Sequence, residues 1–293
     1  MSNFEKTHTT NVINSFAQTP DKRLKQVMTS LIKHLHGFIK DVELTEVEWF
    51  MAIDFLTRTG QISDDKRQEF ILLSDTTGVT MLVDAINHRK PGNATENTIF
   101  GPFYRQGAKE YPFGAAIPNH SGKGQTAVVM GRVLATNGTP IPNALLDVWE
   151  TNDDGFYDSQ LPEQTEFDLR GKFRTNAHGE FKFVCIRPVP YPIPYDGPVG
   201  QMLKATKRHP NRPAHIHVIV TADGFTPVTT HIFDKASKWL DSDAVFGTKD
   251  SLLVNFVKRN SKKEAAKHNV AAPYCEVNFD FVLNPVKKTR VKG

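Results

Sequence analysis

At Pro91-Gly92 the chain changes texture, and that change limits what it can fold into. Before it, apolar residues recur at three- and four-residue steps. After it, Gly and Pro become frequent, and the apolar segments shorten to strand length with Val, Ile, Phe and Thr prominent. From Asp21 to Lys40 the residues Leu24, Val27, Met28, Leu31, Leu35, Phe38 and Ile39 outline an amphipathic helix. Thr45 with Glu48 forms a capping box for a second helix, which runs through Trp49, Ile53 and Phe55 to a stop at Gly60. Asp64 to Asp75 and Thr80 to Asn87 read as two more. Beyond the break, strands are predicted over Ala127 to Leu134, Ala144 to Glu150, Phe181 to Cys185, Ile216 to Thr221, Thr229 to Phe233 and Val277 to Leu283, with turns such as Asn137-Gly138 and His178-Gly179 between them. The fold expected is mainly β, an antiparallel β-sandwich behind an N-terminal α-helical domain. The boundaries are 1–92 for the helical domain, 93–126 for a linker, 127–286 for the sandwich and 287–293 for a basic tail. The stretch from Phe233 to Asn269 stays unassigned.

Several function classes drop out on bulk properties. Charged residues make 23% and hydrophobic ones 39%, an ordinary globular balance that argues against a disordered chain. A formal charge of only +4, part of it in the tail Lys287-Lys288-Thr289-Arg290-Val291-Lys292, does not point to a nucleic-acid partner. No apolar run approaches the roughly 20 residues that span a bilayer. The start, Met1-Ser2-Asn3-Phe4-Glu5-Lys6, lacks the apolar core of a secretory signal, so a cytoplasmic location is expected. Two cysteines, Cys185 and Cys275, are too few for a disulfide framework and read as plain buried thiols.

The chemistry-bearing stretch is Arg212-Pro213-Ala214-His215-Ile216-His217. In an extended strand, residues two apart share a face, so both imidazoles point the same way. That is half of a metal site, a pair of hydrogen-bonded core histidines, or part of a cupin motif, although cupins expect a Glu that Val218 to Gly224 does not contain. No thiolate cluster or H-E-x-x-H motif supplies further ligands. Tyrosine remains as a donor, and there are six. Tyr157 closes Asn152-Asp153-Asp154-Gly155-Phe156-Tyr157. Tyr191 lies in Arg187-Pro188-Val189-Pro190-Tyr191-Pro192-Ile193-Pro194, where prolines fix the backbone. Either residue also reads as a buried tyrosine with a satisfied hydroxyl.

Four separated segments occur in one order: Asp147-Val148-Trp149-Glu150 through Gly155-Phe156-Tyr157, Arg170-Gly171-Lys172-Phe173, the Pro-Tyr-Pro-Ile-Pro loop, and Arg212 to His217. Together they resemble the intradiol ring-cleavage dioxygenases over most of the chain. The resemblance implies Fe(III) held by Tyr157, Tyr191, His215 and His217, a chemistry that suits hard phenolate donors. It also implies an aromatic ortho-diol and O2 as reactants, Tyr191 as the ligand that the diol displaces, and Arg212 over the substrate ring; from the residues alone, Arg212 reads as a surface arginine. The helical start and Asn93 to Phe103 resemble the catechol and hydroxyquinol 1,2-dioxygenase branch, which implies a homodimer through the helices and a phospholipid in the tunnel between them.

Where catechol enzymes of that branch carry Gln, this chain has His231, which the resemblance groups with Tyr191 and Arg212 as catalytic. His231, Leu240 to Gly247 and the Pro-rich loop resemble the hydroxyquinol group, whose product is 3-hydroxy-cis,cis-muconate, the tautomer of maleylacetate. A catechol enzyme giving cis,cis-muconate is the alternative. Pocket positions map onto Leu72, Asp75, Ile99, Phe100, Gly101, Pro102 and Val245. Among them Asp75 offers a carboxylate to a third hydroxyl, or else caps a helix end. A metal-free transthyretin-like binding module and a zinc hydrolase built on His215 and His217 are the readings from other classes.

Overall fold

Caps and periodic apolar residues start the chain as helices. The computed structural model describes residues 2–65, 67–161 and 166–286, so the expected tail at 287–293 lies outside the described residues. The chain divides into two compact units, Met1–Gln61 and Ile62–Gly293. The first holds α1 (Asn3–Asn14), α2 (Lys22–Asp41) and α3 (Glu46–Gln61). Asp21 caps α2 by accepting from the Arg23 and Leu24 amides at 2.7 and 3.1 Å. The Thr45–Glu48 box forms as expected, with Glu48 N–H donating to Thr45 Oγ1 at 3.3 Å and Thr45 N–H to the Glu48 carboxylate at 2.9 Å. Helix α1 has no apolar stripe to reveal it; a second capping box, Ser2 with Glu5, sets its start.

The second unit begins with α4 (Glu69–Thr76) and α5 (Val79–Asn87), which belong with the sheets although the composition changes only after them. Its strands are β1 (Thr126–Ala135), β2 (Leu145–Trp149), β3 (Arg170–Arg174), β4 (Glu180–Ile186) and β5 (Tyr191–Pro192), followed by α6 (Pro198–Ala205). Then come β6 (Asn211–Arg212), β7 (His215–Thr221), β8 (Val228–Asp234), β9 (Leu253–Val254), β10 (Val257–Arg259), α7 (Lys262–Ala266), β11 (Tyr274–Asn278) and β12 (Phe281–Leu283). One sheet runs β10-β11-β1-β12 with β4 also on β1; the other runs β3-β2-β7-β8-β9.

Wholly antiparallel pairing was too simple an expectation. Strand β1 lies parallel to β11 and β12, and β8 lies parallel to β9, while the remaining pairs of the two sheets are antiparallel. Parallel neighbours need a long crossover, and the connections here supply it. The single strand expected over Val277 to Leu283 is two, broken at Phe279 and Asp280.

Alternation along the strands makes one core and one functional face. Val129 and Val133 of β1, Leu146 and Val148 of β2, Ile216, Val218 and Val220 of β7, and Ile232 of β8 all enter the buried cluster between the sheets, with Phe173, Phe181, Phe183 and Phe281. Removing one such Phe side chain costs about 3–5 kcal/mol. The alternate residues, Trp149, His215, His217 and His231, therefore emerge on the other face of the second sheet. Among the described residues, no helix is long and apolar enough to cross a membrane.

Candidate active site

Strand register builds the first row of the site. In the β2–β7–β8 ladder, Trp149 pairs with His217, and His217 with His231. Trp149 stacks on His217 with ring centroids 4.5 Å apart and planes 13° apart, while His231 lies 4.1 Å from His217 and 4.6 Å from His215. A separate two-residue ladder pairs Tyr191 on β5 with Arg212 on β6, so the Pro-rich loop brings its tyrosine to the arginine. Tyr157 arrives on the loop after β2. Its ring stacks on Phe103 at 4.7 Å, and its amide donates to Gln160 Oε1 at 2.9 Å.

Four donor atoms then converge. Tyr157 Oη is 2.8 Å from His217 Nε2 and 3.0 Å from Tyr191 Oη, and Tyr191 Oη is 3.4 Å from His215 Nε2. His215 Nδ1–H donates to the Pro213 carbonyl at 2.6 Å, which turns the Nε2 lone pair toward the cluster, where Arg212 Nη1 also approaches it at 3.3 Å. All four side chains are buried. His231 offers a second donor set, because ligand nitrogens of His215, His217 and His231 lie within 4.8 Å of one another. Its Nδ1 meets the Thr98 hydroxyl, and its Nε2 is buried without a partner.

This donor chemistry fits a cation. Burial, and then the neighbouring Tyr191, push the Tyr157 phenol well above its ordinary value, so without a cation that phenol stays protonated. A bound cation reverses that preference. The imidazoles are held neutral: burial, then Arg212, lowers His215 to about 3, and burial with neighbouring imidazoles drives His217 and His231 well down. Neutral imidazoles and deprotonable phenols are nitrogen and oxygen ligands ready for a metal.

The same shifts predict an acid-labile fold. Unfolded histidines take up protons near pH 6.5, whereas the folded His215 resists to about 3. In that window the unfolded chain binds more protons, so stability is full above it and falls as the pH drops through it. Each histidine held neutral contributes a slope of about 1.4 kcal/mol per pH unit. Thermal melting of metal-free protein between pH 7 and pH 4 checks this; a flat Tm would contradict it.

Tyr191 and Arg212 also line a cavity of about 500 Å³, whereas Tyr157 does not. Leu72, Asp75, Ile99, Pro102 and Val245, five of the positions that the resemblance mapped to a pocket, line it too, with apolar Ile71, Phe103 and Ile193 and polar Arg67, Glu69 and Gln160 among its other walls. The other two expected pocket residues sit elsewhere. Phe100 is half exposed and packs edge-on to Tyr104, and Gly101, at φ 76°, lies against the His217 ring, where a Cβ would come within 3.2 Å of Cε1. Asp75 is buried with Oδ1 unpartnered, and burial raises its carboxyl, partly offset by the Thr80 hydroxyl and Arg212.

Several contributors escaped the sequence reading. Glu69, at the start of α4, accepts from the Val199 amide and from Arg67, both at 3.0 Å, while Arg208 donates to the Thr76 carbonyl at the other end at 2.6 Å. These bonds fix the helix that carries Asp75. Asp243 receives Arg212 Nε at 3.1 Å and Nη2 at 3.3 Å. Asp158, next to Tyr157, is held by Arg170 and Arg105. Trp149 stands in a motif already noted, but only strand register shows its place against His217, and nothing periodic marks Asp243 or Asp158.

The comparisons with known proteins agree with this geometry. A family model described as "Dioxygenase" matches residues 99–285, and one described as "Catechol dioxygenase N terminus" matches residues 21–95. A hydroxyquinol 1,2-dioxygenase of Rhizobium sp. (strain MTP-10005) is 49% identical over 274 residues, which are 93% of this chain and 92% of that protein. A catechol 1,2-dioxygenase of Candida albicans is 40% identical over 257 residues, 87% of this chain and 85% of that one. The solved structure of hydroxyquinol 1,2-dioxygenase from Pseudomonas putida DLL-E4 superposes with a TM-score of 0.92 at 47% identity, over 96% of this chain and 99% of that one. Strands, site and relatives lead to one family: the chain belongs to the intradiol ring-cleavage dioxygenases, in their catechol and hydroxyquinol 1,2-dioxygenase branch.

Proposed function

We propose that the protein is an iron(III) dioxygenase that opens hydroxyquinol between its adjacent hydroxyl-bearing carbons, giving 3-hydroxy-cis,cis-muconate. The observation that carries the substrate is Asp75, a buried carboxylate with one oxygen unpartnered, whose side chain is among the walls of the cavity shared with Tyr191 and Arg212. Tyr157, Tyr191, His215 and His217 are the assigned metal ligands. Two phenols and two neutral imidazoles in mutual contact support that choice over the three histidines alone. His231 abuts both ligand imidazoles and completes the catalytic group.

Iron(III), when bound, supplies the Lewis-acid and redox chemistry that lets O2 react with the diol. The chain's own residues do the rest. Tyr191 is the ligand that faces the cavity, so its phenolate oxygen is placed to take a proton from an incoming hydroxyl. Arg212 donates to Tyr191 Oη at 3.5 Å and faces the same cavity, where its fixed charge stabilises negative charge developing on the ring. Leu72, Ile99, Pro102 and Val245 exclude water and grip the ring faces. Asp75 accepts from the third hydroxyl.

Product analysis tests the reaction. With hydroxyquinol in buffer under labelled O2, the ring-opened diacid should carry both oxygen atoms, with stoichiometric oxygen uptake. Oxidation of the diol without ring opening would contradict the proposal.

The quaternary assignment is a homodimer through the helices of the first unit. Leu24, Val27, Leu31, Leu35, Phe38 and Val42 follow one another at three- and four-residue steps along α2 and its end, and each is 44–53% exposed. Monomers seldom leave so continuous an apolar stripe to water. Sedimentation should give a dimer, and Leu31→Asp with Leu35→Asp should shift it to monomer; an unshifted mass would remove α2 from the interface. A phospholipid between the two sets of helices belongs to the same proposal and is tested by solvent extraction and mass spectrometry. We assign the protein to the cytoplasm, whose reducing conditions suit the two buried free thiols, Cys185 and Cys275.

A further inference from the structure

Arg212 is buried, with 2% of its surface exposed, and its guanidinium is shared between two neighbourhoods. Nη1 faces Tyr191 Oη at 3.5 Å and His215 Nε2 at 3.3 Å, while Nε and Nη2 donate to the two carboxylate oxygens of Asp243 at 3.1 and 3.3 Å. The fork geometry leaves the guanidinium little freedom to rotate. Asp243 is itself fixed. Oδ1 accepts from the Val245 amide at 3.2 Å, Oδ2 accepts from the Gly247 amide at 3.0 Å, and the Thr248 hydroxyl reaches Oδ2 at 3.5 Å. The loop also closes tightly on the arginine, for a Cβ on Gly247 would stand 2.9 Å from Arg212 Nη2. Residues 243–247 therefore form a cradle that also carries Val245 into the cavity wall.

We infer that Asp243 is a positioning residue for the reaction, which with the Gly247 backbone aims the Arg212 charge at the ring. It acts through Arg212 and touches no assigned ligand. The inference rests on the reading of Arg212 given above, and the test separates the two.

Asp243→Asn, Gly247→Ala and Arg212→Gln are made singly, and the first two are also combined with Arg212→Gln, all in iron-loaded full-length enzyme with rates normalised to bound iron. Asp243→Asn should lower kcat by about 10–100-fold, the range for losing a residue that orients a site group. Iron content and the visible band should not change, and neither should the affinity for catechol measured under argon. Gly247→Ala should lower kcat in the same manner with Asp243 in place, and it decides the matter if Asp243→Asn does not fold. Neither change should lower kcat further in the Arg212→Gln background, because a residue that acts through Arg212 has nothing left to act on. Additive losses in that background, or full kcat in both single variants, would overturn the inference. A normal kcat for Arg212→Gln alone would instead remove the reading of Arg212, and the inference with it.

Discussion

Tyr157→Phe is expected to give a folded protein that holds iron poorly and has lost its colour and turnover. The side chain is fully buried against Phe103, so phenylalanine fills the same space and the packing survives. What disappears is the oxygen 2.8 Å from His217 and 3.0 Å from Tyr191, one of the two phenolate donors proposed for the metal. Loss of a group that merely orients a metal ligand costs roughly 10–100-fold in affinity or activity. Loss of the ligand itself should exceed that range. Iron titration of the metal-free variant, followed in the visible, checks the expectation. Tight binding with an undiminished band would mean that Tyr157 is not a ligand and would favour the set made of His215, His217 and His231.

The second large effect concerns which diol is used. Asp75→Ala should lower kcat/KM for hydroxyquinol by about 10–100-fold, the worth of one hydrogen bond to a charged acceptor, while kcat/KM for catechol stays level or rises. The asymmetry has a physical cause. With catechol bound, Asp75 Oδ1 keeps its unpaired, desolvated state, and alanine removes that penalty; with hydroxyquinol, alanine removes a partner. Steady-state kinetics on both substrates decides. An unchanged ratio would mean that Asp75 serves α4 rather than the substrate, and catechol would then be the reading to pursue.

What the sequence disclosed depended on how local each signal was. The parity of His215 and His217 follows from two positions in one strand, and the structure carries both on one face. The capping box at Thr45 was equally local. By contrast, the choice of Tyr157 and Tyr191 among six tyrosines came from resemblance, since a loop tyrosine has no periodicity to reveal its direction. The Trp149–His217–His231 row needs the register of three strands. Asp243 meets Arg212 across 31 residues, and Thr98 meets His231 across 133, so neither contact leaves a short-range trace. Strand β3 was hidden because Arg170-Gly171-Lys172-Phe173-Arg174 mixes charge and glycine in a way that strand propensity disfavours. Parallel pairing of β1 was hidden because its partners arrive 148 residues later in register. Pocket residues mapped as a contiguous run, Ile99 to Pro102, divided: Ile99 and Pro102 line the cavity, Phe100 packs on Tyr104 and Gly101 lies against His217, a division that no short-range pattern announces.

A ferric centre built from two tyrosinates and two histidines should declare itself in the metal content and visible spectrum of the protein before and after hydroxyquinol is added under argon. Stoichiometric iron, a broad phenolate-to-iron band and a shift of that band on addition of the diol are expected. Protein that stays colourless after reconstitution with iron, and takes up no oxygen with either diol, would contradict such a centre.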